Sequence, residues 1–189
     1  MRAEPDAYPR PLRLLHWTTA LLVAAQAGLA LANALVYERR PILAETVVQA
    51  HLSLGVLIFA LTLLRLAVRA TKACPALPDD MAPPMRFAAH AVHATLYVLL
   101  LVLPVSGYVK LAALGFEIIV FGLLPLPALA VDPDLAALAR SIHTGAAIAL
   151  GVLLTGHIGA AVFHKVLIGG PVLQRMYPPR YRYGSSAAR

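Results

Sequence analysis

Residues 135–163 read LAALARSIHTGAAIALGVLLTGHIGAAVF. Arg140 is the one charged residue in this run, and two histidines, His143 and His157, interrupt its apolar character. A helix needs about 20 apolar residues to cross roughly 30 Å of hydrocarbon, so the run is long enough to span a membrane. Lipid offers no water to bare backbone groups, which makes helix the required conformation. The two histidines are 14 positions apart. At about 3.6 residues per turn they fall on nearly one face, and at about 1.5 Å per residue they are separated by about 21 Å along the axis. One imidazole therefore belongs near each side of the membrane.

Three further apolar runs lie upstream, at about Leu12 to Val36, Thr46 to Val68 and Phe87 to Val109. The whole chain matches that picture: of 189 residues, 60% are hydrophobic and 13% charged, against roughly 25% charged in soluble domains. Mean hydropathy is +0.75. These features predict an all-α membrane protein, a four-transmembrane-helix bundle over residues 1–176 followed by a basic cytoplasmic tail, 177–189. The tail, with Pro178 and Pro179, is expected to lie on the anionic inner surface or to be disordered. The first run is too long, and lacks a small-residue cleavage site, to be a cleaved signal peptide. Cys74 is the only cysteine, which excludes a disulfide framework, a cysteine zinc site and an iron–sulfur cluster. Without Cys-x-x-Cys-His, any haem is held free of thioether links.

Residues 111–131 are apolar but carry Glu117, and Pro125 and Pro127 break a helix there. Charge settles their reading. With four spans, twelve of the 16 Lys and Arg residues fall on one side, and only Arg39, Arg40, Lys110 and Arg140 on the other. A fifth crossing would move the basic tail and spoil the asymmetry. The positive-inside rule thus gives four spans with both termini cytoplasmic and an interfacial outer loop at 111–131. Pro75, Pro78, Pro83 and Pro84 mark the second cytoplasmic loop. No inverted repeat of the transporter kind is visible.

His16 and His51 complete a pattern with the fourth span. His16 lies about one turn into the first span from the inner side, and His51 a similar depth into the second from the outer side. Four histidines thereby sort into two levels, His16 with His157 inside and His51 with His143 outside. Ionisable residues at such depth are rare and mark function. Two facing imidazoles are what a six-coordinate b-type haem needs, with both axial positions filled. Glycines in the spans let helices pack closely or admit a flat macrocycle; Gly55, one turn after His51, is associated with the second use.

Beyond this point the motifs carry a resemblance. The runs Arg13-Leu-Leu-His16-Trp17, His51-Leu-Ser-Leu-Gly55, His90-Ala-Val-His93, Leu103-Pro104-Val-Ser-Gly107 and Ser141-Ile-His143, followed by His157 and His164, resemble the bacterial cytochrome b561 family, which embraces the b-type subunits of nickel–iron hydrogenases. The likeness covers about residues 8 to 178. It implies a bundle in the bacterial inner membrane that carries two b haems and moves electrons between a quinone pool and a redox partner. It implies His16 and His157 as ligands of the inner haem, and His51 and His143 as ligands of the outer one.

Other residues are open to two readings. His90 and His93, spaced i, i+3 on one helix face, are candidates for a quinone or proton site, or interfacial hydrogen-bonding groups. His164 is an interfacial residue or part of the quinone site. Arg13, Arg65, Arg69 and Arg86 can grip a haem propionate bidentately or snorkel to headgroups; Arg13 joins the cofactor-binding set. Candidate partners are ubiquinone or another quinone, membrane lipid, and a soluble redox protein or superoxide, toward which Arg39, Arg40 and Arg140 would draw an anion; nucleic acid is not expected. The competing class is a non-redox transporter or scaffold in which histidines serve as interhelical polar contacts.

Overall fold

Proline stands in the first turn of every span, at Pro11, Pro41, Pro83 and Pro133. There its missing N–H is one that no helix bond would use. The computed structural model describes residues 7–36, 39–77, 81–167, 169 and 173–177. Pro78, Arg2, Arg180, Arg182, Arg189 and the tail after Tyr177 lie outside the described residues. Four helices form: α1 (Arg10–Val36), α2 (Pro41–Thr71), α3 (Pro83–Ala112) and α4 (Pro133–Val166). Each is long and apolar enough to cross a membrane. Their ends run past the apolar stretches, because polar flanks such as Glu45 and Arg69 can stay helical where the headgroups begin.

Packing runs α1 on α2, α2 on α3 and α3 on α4. Large side chains on the outside, including Leu21, Leu31, Ile148 and Val152, are exposed, as suits a surface bathed in lipid tails. Inside, two hydroxyls that would otherwise be stranded bond back along their own helix. Thr62, 1% exposed, donates to the Ile58 carbonyl at 2.7 Å, and Ser53 donates to the Gln49 carbonyl at 2.8 Å.

Residues 111–131 form no fifth helix. They contain a two-stranded antiparallel hairpin, β1 (Ile119–Val120) and β2 (Leu124–Pro125), in the register Ile119 opposite Pro125 and Val120 opposite Leu124. The turn between them has positive φ at Phe121 (52°) and Gly122 (68°), the pattern that matches strand twist in tight hairpins. A phenylalanine pays strain for that backbone. Its N–H is held by the Ser53 hydroxyl at 2.9 Å. Gln49 donates to the Glu117 carbonyl at 3.1 Å and Tyr108 to the Pro127 carbonyl at 2.7 Å. With Leu52, Ala112 and Ile118 buried together beneath it, the loop closes over one end of α2 and α3, termed the outer end by convention, the opposite end being the inner.

The start of α4 is fixed by Asp132, whose carboxylate accepts from the N–H groups of Asp134 and Leu135, both at 3.0 Å. An aspartate directly before a proline in the first helical turn is the residue pattern that favours such a start. Asp132→Ala is expected to cost about 1 kcal/mol, read as a lower midpoint of thermal unfolding in detergent.

Candidate functional site

Two histidine pairs meet at two levels of the bundle. At the outer level, His51 of α2 faces His143 of α4, with ring centroids 6.3 Å apart and planes at 66°. They border a cavity of about 210 Å³ whose walls include Gln26, Gly55, Pro104, Gly107 and Leu126. Leu126 brings the hairpin loop to its rim, which links the outer cap to the site.

His143 is held by α3. Its Nδ1 lies 3.0 Å from the Leu103 carbonyl and 3.2 Å from the Ser106 hydroxyl, while Ser106 donates to the same carbonyl at 3.1 Å. A carbonyl can only accept, so Nδ1 carries the proton and the Nε2 lone pair is free. A helix carbonyl has a second lone pair for such a bond. Gly107 makes the approach possible: a Cβ there would sit 3.1 Å from His143 Cε1 and 3.3 Å from Nδ1. On the other side, Gln26 donates to the His51 backbone carbonyl at 2.8 Å. The His51 Nδ1 and Gln26 Oε1 atoms are buried without a hydrogen-bond partner.

At the inner level, His16 of α1 faces His157 of α4 at 6.4 Å, with planes at 74°. His93 of α3 touches the same group, its ring 5.1 Å from His157 and nearly perpendicular at 84°. The His93 Nδ1 lies 2.6 Å from the Ala89 carbonyl, which again puts the proton on Nδ1 and leaves Nε2 free. Arg65 lies over the Tyr97 ring at 5.3 Å, a cation–π contact.

The remaining sequence candidates are distributed unevenly. Gly55 does border the outer cavity, where an added Cβ would meet Gln26 Nε2 at 3.4 Å. Arg13 is 9% exposed, and its guanidinium donates to the Tyr177 backbone carbonyl. His164 stacks edge-on with Phe163 at 6.0 Å, beyond the inner pair. His90 makes no ring contact among the described residues. Gly107, Ser106 and the Leu103 carbonyl were missed as individual contributors. The Leu103-Pro104-Val-Ser-Gly107 motif signalled them only as a block.

Among the described residues, no three His, Cys, Asp or Glu side chains gather so as to hold a bare metal ion. Pairs of imidazoles facing one another inside a four-span bundle define a class: membrane cytochromes with b-type haem. The chain matches prokaryotic cytochrome b561 over residues 7–179, and it belongs to that family. It is 29% identical over 179 residues to cytochrome b561 homolog 2 of Escherichia coli (strain K12), covering 91% of this chain and 92% of the relative. It is 29% identical over 133 residues to cytochrome b561 homolog 1 of the same organism, covering 70% and 75%. A probable superoxide oxidase CybB from Yersinia pestis is 28% identical over 130 residues, covering 69% and 74%. The protein is thus a bacterial membrane protein of a b-haem family that transfers electrons.

Proposed function

We propose that each facing pair grips one haem b, His16 with His157 at the inner level and His51 with His143 at the outer. The observation that carries this reading is the ring spacing. A metal–imidazole bond of about 2.0–2.1 Å, plus roughly 1.1 Å from ring nitrogen to centroid, separates two trans imidazoles by about 6.3 Å. The two pairs stand at 6.3 and 6.4 Å. His93 and His157, at 5.1 Å, are too close to have an iron between them. The cavity beside the outer pair, the glycine at its wall and the free Nε2 of His143 all fit a macrocycle ligated through that nitrogen. The bond from His143 to the Leu103 carbonyl is the kind that orients a ligating imidazole and raises its basicity.

When bound, the haems supply the one-electron couples; the chain contributes axial nitrogens, burial and a separation of about 21 Å between levels. With an imidazole from each side to hold it, a haem bound by these pairs would suit electron transfer rather than oxygen binding. We place the inner level on the cytoplasmic side of the bacterial inner membrane, from the charge asymmetry of the loops, and a quinone beside it. His93 supports the latter assignment, since its free Nε2 can exchange a hydrogen bond or proton with a quinone oxygen next to the inner pair. His90 and His164 are the further candidates there, and a soluble redox protein remains the alternative electron source at the outer face.

The similarity to a probable superoxide oxidase favours one form of the reaction. Two superoxide ions each give up one electron at the outer face and leave as oxygen. A quinone takes both electrons with two protons and becomes the quinol. Superoxide added to the purified protein is expected to reduce the haem bands within mixing time; no reduction would assign the outer face to a partner protein instead. The haem reading itself is tested by one spectrum. Dithionite should give the sharp α band of low-spin bis-histidine haem, and a pyridine assay two haems per chain. A colourless protein would leave the histidines as polar contacts of a transporter or scaffold.

A further inference from the structure

The inner imidazoles face each other from two helices, α1 and α4, that are not among the closely packed pairs of the bundle. Something else must set their distance. After α4 the chain makes a 3₁₀ turn (Gln174–Met176), and this turn is tied to α1 and the residues just before it. The Tyr8 N–H donates to the Arg175 carbonyl at 3.1 Å, the Trp17 indole N–H to the Met176 carbonyl at 2.9 Å, and the Arg13 guanidinium to the Tyr177 carbonyl. The Arg175 guanidinium reaches the Ala76 carbonyl in the α2–α3 loop at 2.6 Å. The Tyr177 ring lies 5.4 Å from the Trp17 ring, and the Trp17 ring stands edge-on to His16 at 5.2 Å.

We propose that residues 173–177 form a strap across the inner mouth, and that Trp17 is a positioning residue through which the strap fixes the ring of His16 opposite His157. Three successive carbonyls, of Arg175, Met176 and Tyr177, accept from Tyr8 just before α1 and from Trp17 and Arg13 within it. Such a run fixes the turn against α1 more firmly than one contact would. The indole makes two contacts with the strap, its N–H on the Met176 carbonyl and its ring on Tyr177, and these limit the drift of its edge against His16. Arg13, a candidate propionate partner in the sequence, acts in this arrangement as the strap's latch.

The proposal rests on the haem reading above, and its test separates the two. Wild-type protein, Trp17→Phe and Tyr177→Ala are purified whole, and haem stoichiometry, low-spin character and carbon monoxide binding are compared. Carbon monoxide needs an open axial position, which a bis-histidine iron lacks. If the strap positions His16, both variants keep two haems per chain but gain a carbon monoxide-reactive fraction confined to one of them. Outer-ligand positioning by neighbouring groups is worth about 10–100-fold in affinity, so the fraction should rise at least about tenfold in Tyr177→Ala, and less in Trp17→Phe, which keeps an aromatic edge. Variants as unreactive and low-spin as wild type would overturn the strap, as would loss of both haems together, which would mean a general fold defect. A wild-type protein without haem would instead remove the reading beneath it.

Discussion

His143→Ala is expected to lower haem content from two per chain to one, with the remaining haem still low-spin. His143 reaches its partner His51 across 6.3 Å, and no third imidazole stands beside the outer pair to replace it. The inner pair is different, because His93 lies against His157. Loss of His157 there leaves a neighbouring nitrogen that can take its place, so His157→Ala should retain more haem than His143→Ala. The pyridine assay reads both. Retention of two haems in His143→Ala would refute the outer assignment, and loss of both would show that the two levels do not form independently.

Gly107→Val is expected to lower occupancy of the outer site without replacing His143 itself. An added Cβ at position 107 would stand 3.1 Å from His143 Cε1 and 3.3 Å from Nδ1, so even alanine pushes the ring by a few tenths of an ångström. Valine adds two more carbons where the ring must move, and overpacking of this kind costs about 1–3 kcal/mol. The ring would also leave the Leu103 carbonyl that orients it. Together these predict a fall of roughly tenfold to hundredfold in outer haem affinity, seen as partial occupancy of one haem. Gly145→Val is the control, since nothing lies within 4 Å of a Cβ there. Equal haem content in the two variants would mean that the His143 ring is not held by close approach to α3.

The spans and the two levels of the four histidines were legible because hydropathy, helical period and depth are all properties of position along one chain. The pairing of α1 and α2 residues with α4 followed from depth alone, and the rings do face one another. The hairpin at 119–125 was not legible. Its strands are two residues each, one ends in proline, and a Phe-Gly turn carries none of the usual Asn-Gly signal. The role of Gly107 was hidden for another reason: a glycine in a membrane helix reads the same whether it admits a neighbouring helix or a neighbouring ring. The Arg13 contact was beyond reach, since its acceptor is a backbone carbonyl near the other end of the chain. A backbone acceptor leaves no mark in the sequence.

The order of helix packing has a consequence for assembly. Direct contact joins each helix to its neighbours in the chain, whereas both histidine pairs reach across that order, from α1 or α2 to α4. Between α1 and α4 the ties are therefore the strap at 173–177 and the inner imidazoles, so without cofactor the end of the bundle away from the strap is expected to open first. A porphyrin entering sideways from the lipid would then act like a clasp, its ligands joining α4 to α1 at one level and to α2 at the other. Starving cells of haem should accordingly leave a chain that reaches the membrane but is cut quickly by its proteases.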